Sequence, residues 1–153
     1  MKPKIAFFDF ASCEGCQLQV VNLEMELPTL IGLVDIVAFR EAMAEASDDY
    51  DIAFVEGSVT RESDIPRLKK IREHAKILVA LGACACTGGL NALSNAMGTT
   101  RVKIIVYGDK ATHYETFPVR PIHAVVPVDY QIPGCPIHKE DFVRVVQTLL
   151  LGT

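Results

Sequence analysis

Five cysteines, Cys13, Cys16, Cys84, Cys86 and Cys135, are the residues best suited to chemistry in this chain. Cys13-Glu14-Gly15-Cys16 is one close pair, Cys84-Ala85-Cys86 a second, and Cys135 stands in Pro133-Gly134-Cys135-Pro136. Thiolates are soft ligands, suited to iron–sulfur clusters or zinc rather than magnesium or calcium. An iron–sulfur cube needs four of them arriving from different directions, with backbone N–H groups brought close to its sulfides. Gly15, Gly82, Gly88, Gly89 and Gly134 sit beside the thiols and let the backbone approach. Structural zinc usually takes two short-spaced pairs on knuckles, whereas the second pair here is Cys-x-Cys. A thioredoxin-like dithiol would use Cys13 and Cys16 and leave three thiols idle. Inert core packing is common for single cysteines, but not for four in glycine- and proline-rich loops. The pattern points to one cluster on four of the five, with zinc the nearest competitor.

The elements that must position these thiols alternate between strand-like and helix-like. Residues 4–10 form a short apolar run that predicts a first strand, and the Cys13 loop follows directly. Residues 17–26 predict an amphipathic helix with Leu18, Val21 and Met25 on one face, stopping before Pro28. Residues 35–40 and 50–55 predict two more strands. Ser63 or Asp64 caps the next helix, with Pro66 in its first turn and Ile65, Leu68 and Ile71 facing inward. Residues 76–81 predict a fourth strand running straight into the Cys84 loop. Residues 91–97 suggest a short helix, residues 102–107 a further strand, and an amphipathic helix carrying Phe142, Val145, Val146, Leu149 and Leu150 begins at Lys139. The expected fold is α/β: a flavodoxin-like, doubly wound parallel sheet in a single domain over residues 1–153. In such a sheet the loops leaving the C-terminal ends of the strands share one edge, so loops distant in sequence can bring their thiols together.

Bulk properties narrow the function. The net charge of −4 and pI near 5.5 leave no basic stripe for nucleic acid. The mean hydropathy of +0.25 is high for 153 residues, which predicts a sheet covered on both faces, a large apolar interface with another subunit, or both. Asp9 interrupts the first apolar run and no signal-peptide cleavage site follows. No apolar stretch reaches the roughly 18 residues of a spanning helix. A cytoplasmic protein with no membrane span is expected, and in that reducing compartment the cysteines are for metal or redox chemistry rather than disulfides. His74, His113, His123 and His138 are scattered and read as solvated or packing residues. Residues 82–89 lack the Lys-Ser/Thr ending of a P-loop.

Taken in order, Cys13-x-x-Cys16, Val55-Glu56-Gly57-Ser58, Gly82-Ala83-Cys84 with Gly88-Gly89, and Pro133-Gly134-Cys135-Pro136 resemble the small subunit of [NiFe] hydrogenases. That subunit shares its domain with the 20 kDa iron–sulfur subunit of NADH-ubiquinone oxidoreductase. The resemblance implies one proximal [4Fe–4S] cluster on Cys13, Cys16, Cys84 and Cys135, with Cys86 outside the ligand set. It implies H₂ ⇌ 2 H⁺ + 2 e⁻ at a Ni–Fe centre on a partner large subunit, so no catalytic residue is expected on this chain. Glu56, Cys86 and Glu14 would stand beside the cluster: Glu56 as a hydrogen-bonding or proton-handling group, or else as a carboxylate capping the next segment, and Glu14 solvated or facing the large subunit. The tandem Cys-Cys of the complex I subunit is absent, since Ser12 and Glu14 flank Cys13, which favours hydrogenase over a complex I-like oxidoreductase. With no cysteine after Cys135, the chain resembles the short cytoplasmic small subunits that pass electrons to a separate iron–sulfur or flavin subunit.

Overall fold

The computed structural model describes residues 2–24 and 26–151. Its strands are β1 (Lys4–Asp9), β2 (Asp35–Phe39), β3 (Ile52–Glu56), β4 (Ile77–Leu81) and β5 (Tyr130–Ile132). Its helices are α1 (Gly15–Val21), α2 (Glu26–Leu33), α3 (Asp64–His74), α4 (Gly82–Thr87), α5 (Leu93–Met97), α6 (Thr99–Tyr107) and α7 (Lys139–Leu151). The strands form one parallel sheet in the order β2-β1-β3-β4-β5. This is the flavodoxin-like order, and its direction reverses between β1 and β3.

Every residue of β3 is buried and β4 is buried beyond its first residue, because helices cover both faces. On one face Phe7, Phe39, Phe54 and Phe142 pack together with Val20, Leu23, Leu30 and Val146; ring centroids lie 4.2 Å apart for Phe7–Phe39 and 5.2 Å for Phe54–Phe142. On the other face Val55, Leu78 and Ala80 pack with Leu68, Ile71, Ala85 and Ile122. The hydropathy therefore has its first expected cause. The second also has a counterpart, since Leu90, Leu93, Met97, Ile104, Ile105 and Val106 are exposed.

Register brings the strand ends level: Asp9 pairs with Glu56, Glu56 with Leu81, and Leu81 with Ile132. All three cysteine-bearing loops leave this row. That alignment is the fold's contribution to the site.

Four local expectations are corrected. The helix expected over residues 17–26 ends at Val21. Pro28 lies in the first turn of a separate helix, α2, where a missing N–H leaves no bond unmade. Leu18 is exposed, and α1 buries Cys16, Gln17 and Val20 instead; Met25 lies outside the described residues. Residues 102–107 are helical, within α6, despite their β-branched composition, because the sheet edge is taken by β5, a strand of three residues too short to show alternation. Ser63 occupies the N-cap of α3 but does not cap it with its side chain; its N–H and hydroxyl donate to Glu115 at 3.1 and 2.7 Å.

Candidate metal centre at the C-terminal edge of the sheet

The loop after β1 is pinned before it reaches the first cysteine. Phe10 N–H donates to the Glu56 carbonyl at 2.8 Å, and Ala11 and Ser58 exchange backbone hydrogen bonds of 3.1 and 3.0 Å. This crossing is so close that a Cβ on Gly57, at φ +94°, would stand 2.6 Å from the Phe10 carbonyl carbon. Asn91, beyond α4, donates to the Ala11 carbonyl at 2.8 Å and to Ser58 Oγ at 2.9 Å. Three loops that leave β1, β3 and β4 are thus tied into one frame. The sequence offered little sign of Asn91, because a side chain that joins loops has no local pattern.

Cys16 enters on α1 and is buried; Cys13, three residues earlier, is exposed. Gly82, at φ +84°, carries the chain from β4 directly beneath Cys16, so that a Cβ there would lie 2.4 Å from the Cys16 sulfur. Cys84 follows on α4, partly buried, and a Cβ on Gly89 would lie 2.9 Å from its sulfur. Ala83 N–H donates to the Gly134 carbonyl at 2.7 Å, joining the Cys84 loop to the Cys135 loop. Cys135 is exposed, and a Cβ on Gly15 would meet both Cys13 Sγ, at 3.3 Å, and Pro136 Cβ, at 3.9 Å.

The electrostatics group the same residues. Burial pushes the Cys16 thiol up to about 12, against a hydrogen bond from the Ile137 N–H, while Glu56 and Cys84 raise it further. Burial, Cys135, Cys13 and Glu56 all raise Cys84. Cys84 thus lies within electrostatic reach of Cys13, Cys16 and Cys135 at one edge.

Cys86 is placed differently. Its sulfur lies in the apolar layer with Leu78, Ala80 and Ile122 on the other face of the sheet and donates to the Ala80 carbonyl at 3.6 Å. Burial pushes its thiol up to about 11. Glu14, at φ +62°, starts α1 and forms an ion pair with Arg40, which also approaches Asp9 at 3.4 Å. Glu14 is thus engaged rather than simply solvated, and Arg40 is a neighbour of the site that sequence patterns gave no reason to name. His74, His113, His123 and His138 are all exposed.

The donor set fits an iron–sulfur cube. Four soft sulfurs come from three loops, and the backbone passes those of Cys16 and Cys84 so closely that only glycine leaves room, with Gly15 tight against a third. Among the described residues, no three His, Cys, Asp or Glu are close enough to share a single metal ion. Among the described residues no helix is long and apolar enough to cross a membrane.

Comparison with known proteins gives the chain its relatives. The chain is 31% identical over 151 residues to the delta subunit of sulfhydrogenase 2 from Pyrococcus furiosus, covering 97% of this chain and 62% of that one. It is 28% identical to a subunit of the vhu F420-non-reducing hydrogenase from Methanococcus voltae, covering 99% of this chain and 57% of the relative. It is 31% identical to the delta subunit of the NAD-reducing hydrogenase HoxS from Cupriavidus necator, over 99% of this chain and 80% of the relative. The chain thus spans less than two thirds of the first two relatives. Among solved structures, a chain of an NAD⁺-reducing [NiFe]-hydrogenase in the H₂-reduced state superposes with a TM-score of 0.88 at 31% identity, covering 99% of this chain and 93% of that one. Residues 13–149 match the family of the NADH ubiquinone oxidoreductase 20 Kd subunit, and the chain belongs to that family.

Proposed function

We propose that residues 1–153 form a domain that holds one [4Fe–4S] cluster on Cys13, Cys16, Cys84 and Cys135. On this reading the chain is the electron-relaying small subunit of a cytoplasmic [NiFe] hydrogenase. The observation that carries it is the gathering of these four thiols from three loops at the sheet edge, with Gly15, Gly82 and Gly89 pressed against three of the sulfurs. Such a cluster supplies one-electron transfer, which suits a relay between the two-electron oxidation of H₂ on a partner and a further redox subunit.

The chain's own residues do the holding. Burial places Cys16 deepest, and the Ile137 N–H supports its sulfur; a hydrogen bond to a ligand sulfur tunes the potential of a bound cluster. Raised thiol pKa values at Cys16 and Cys84 mean that metal must displace protons on binding. The exposed Cys13 and Cys135 mark the side from which electrons are passed across a subunit boundary.

The partners follow from likeness to the hydrogenase subunits above: a large subunit with a Ni–Fe centre, and a downstream iron–sulfur or flavin subunit linked to NAD(P), ferredoxin or F420. The exposed apolar residues of α5 and α6 give such partners an apolar surface to cover. A second reading, an iron–sulfur subunit of a membrane-bound complex I-like oxidoreductase, draws on the family match.

The test is affinity purification of the tagged chain from its native cells under anaerobic conditions, followed by metal and sulfide analysis. Iron with acid-labile sulfide, and a co-purifying partner containing nickel, is the expected result. Zinc alone would overturn the cluster, and a cluster-bearing complex without nickel would favour the second reading.

A further inference from the structure

The first N–H groups of a helix have no partner inside it, and the N-cap side chain ordinarily supplies one. α1 lacks this device: its N-cap is Glu14, whose side chain makes no capping bond and pairs with Arg40 instead. The N–H groups of Cys16 and Gln17 go to a residue 40 positions further on, Glu56, at 3.2 Å to Oε1 and 3.0 Å to Oε2. Glu56 is 2% exposed and ends β3, which is paired on both sides, to β1 and β4. The carboxylate is therefore mounted on the centre of the sheet. The Cys16 thiol and the Gln17 side-chain amide also lie near it. Gln17 Nε2 is buried and finds no hydrogen bond of ordinary geometry among the described residues.

We propose that Glu56 is a positioning residue for the cluster: by taking both N–H groups at the start of α1 it sets where the Cys16 sulfur stands above Gly82 and keeps a carboxylate beside the innermost ligand. The inference rests on the reading of Cys16 as a ligand. A carboxylate offers two acceptor oxygens to two N–H groups, whereas glutamine offers one oxygen and sets an NH₂ against the other N–H. Glu56→Gln thus keeps the size and breaks the pattern. Glu56→Asp keeps both acceptors and retracts them by one methylene. A fixed anion and the position of a ligand sulfur both bear on cluster potential, and loss of the anion favours the reduced form.

The experiment uses the purified complex carrying wild-type chain, Glu56→Gln or Glu56→Asp. Iron per chain, the electron paramagnetic resonance spectrum of the reduced cluster, its potential, and amide exchange at Cys16 and Gln17 are measured. Glu56→Gln is expected to retain iron and show altered g values. Its reduction equilibrium should move about tenfold toward the reduced form, or about 59 mV for one electron, and both amides should exchange at least about tenfold faster at the usual correspondence of rates with lost protection. Glu56→Asp should recover part of each change, and it carries the test if the glutamine variant fails to assemble. Wild-type spectrum, potential and exchange in Glu56→Gln would overturn the proposal. So would a variant that is merely less stable while its cluster keeps the wild-type spectrum and potential. If wild-type chain carries no iron–sulfur cluster, the functional reading fails instead, and unaltered amide exchange in the variants would then separately overturn the Glu56 clamp.

Discussion

Replacing Gly82 with alanine measures how tightly the end of β4 is pressed against the Cys16 sulfur. Gly82 has φ +84°, and an added Cβ would stand 2.4 Å from Cys16 Sγ, more than about 1 Å inside a comfortable nonbonded contact of about 3.5–4.0 Å. Two costs combine. The left-handed backbone costs an alanine about 1–2 kcal/mol, and an extra methyl forced into a packed site costs about 1–3 kcal/mol. Gly98 separates them, because it has φ +83° with nothing within 4 Å of the added Cβ. Gly98→Ala, at ψ 125° and so outside the left-handed helical region, should therefore lose about 2 kcal/mol, from the backbone alone. Gly82→Ala should lose about 3 kcal/mol, from both sources. For a chain of this size about 2–4 °C accompanies each kcal/mol, so the expected falls in Tm are about 6 °C and about 9 °C. Urea unfolding of the full chain checks the energies, and iron content after assembly checks the consequence. Because Cys16 must move to relieve the contact, Gly82→Ala should also lose iron while Gly98→Ala keeps it. Equal destabilisation of the two variants, or full iron in Gly82→Ala, would refute the reasoning.

Cys86→Ser should leave iron content unchanged and reduce stability by about 1–3 kcal/mol, since a hydroxyl would enter an apolar layer; loss of the cluster would show that the wrong member of the 84/86 pair had been chosen. Cys84→Ser should lower iron to well below that of wild type, as measured by the same iron and sulfide assay. Asp51 accepts the Lys4 N–H at 2.8 Å and pairs with Lys76 at 2.7 Å, and the Lys76 contact, followed by the Lys4 N–H, holds its carboxyl below the usual range. A lowered folded pKa means that this stability is present above the unfolded value of about 3.9 and is lost as pH falls through the folded value. Asp51→Asn should thus be less stable than wild type by about 1 kcal/mol at pH 7 and equal to it near pH 2, by urea unfolding; a gap that stays constant with pH would count against it. Gly32→Ala in α2, where an added Cβ meets nothing within 4 Å, should stabilise by about 0.5–1 kcal/mol, read as a rise in urea midpoint.

Much of the architecture could be read from local composition. Short apolar runs marked β1, β2, β3 and β4 to within about two residues of the observed ends, because buried parallel strands are apolar throughout. Phe142, Val146 and Leu149 marked the buried face of α7 through their helical spacing. The cysteine loops were legible because glycine and cysteine at the ends of strands have few other uses together. The tertiary structure decided everything that depends on which side of a layer an atom lies. Spacing alone leaves Cys84 and Cys86 equivalent, but two residues along a helix turn a side chain by about 200°, and Cys86 enters the apolar layer while Cys84 stays with Cys13, Cys16 and Cys135. Residues 102–107 have strand composition yet form a helix, since a strand needs a neighbour with free N–H and C=O groups, and β5 holds that edge of β4. Glu56 was visible as a carboxylate at a strand end. That its two oxygens hold the start of α1 follows only from the crossing of two loops 40 residues apart, because long-range hydrogen bonds leave no trace in a local pattern.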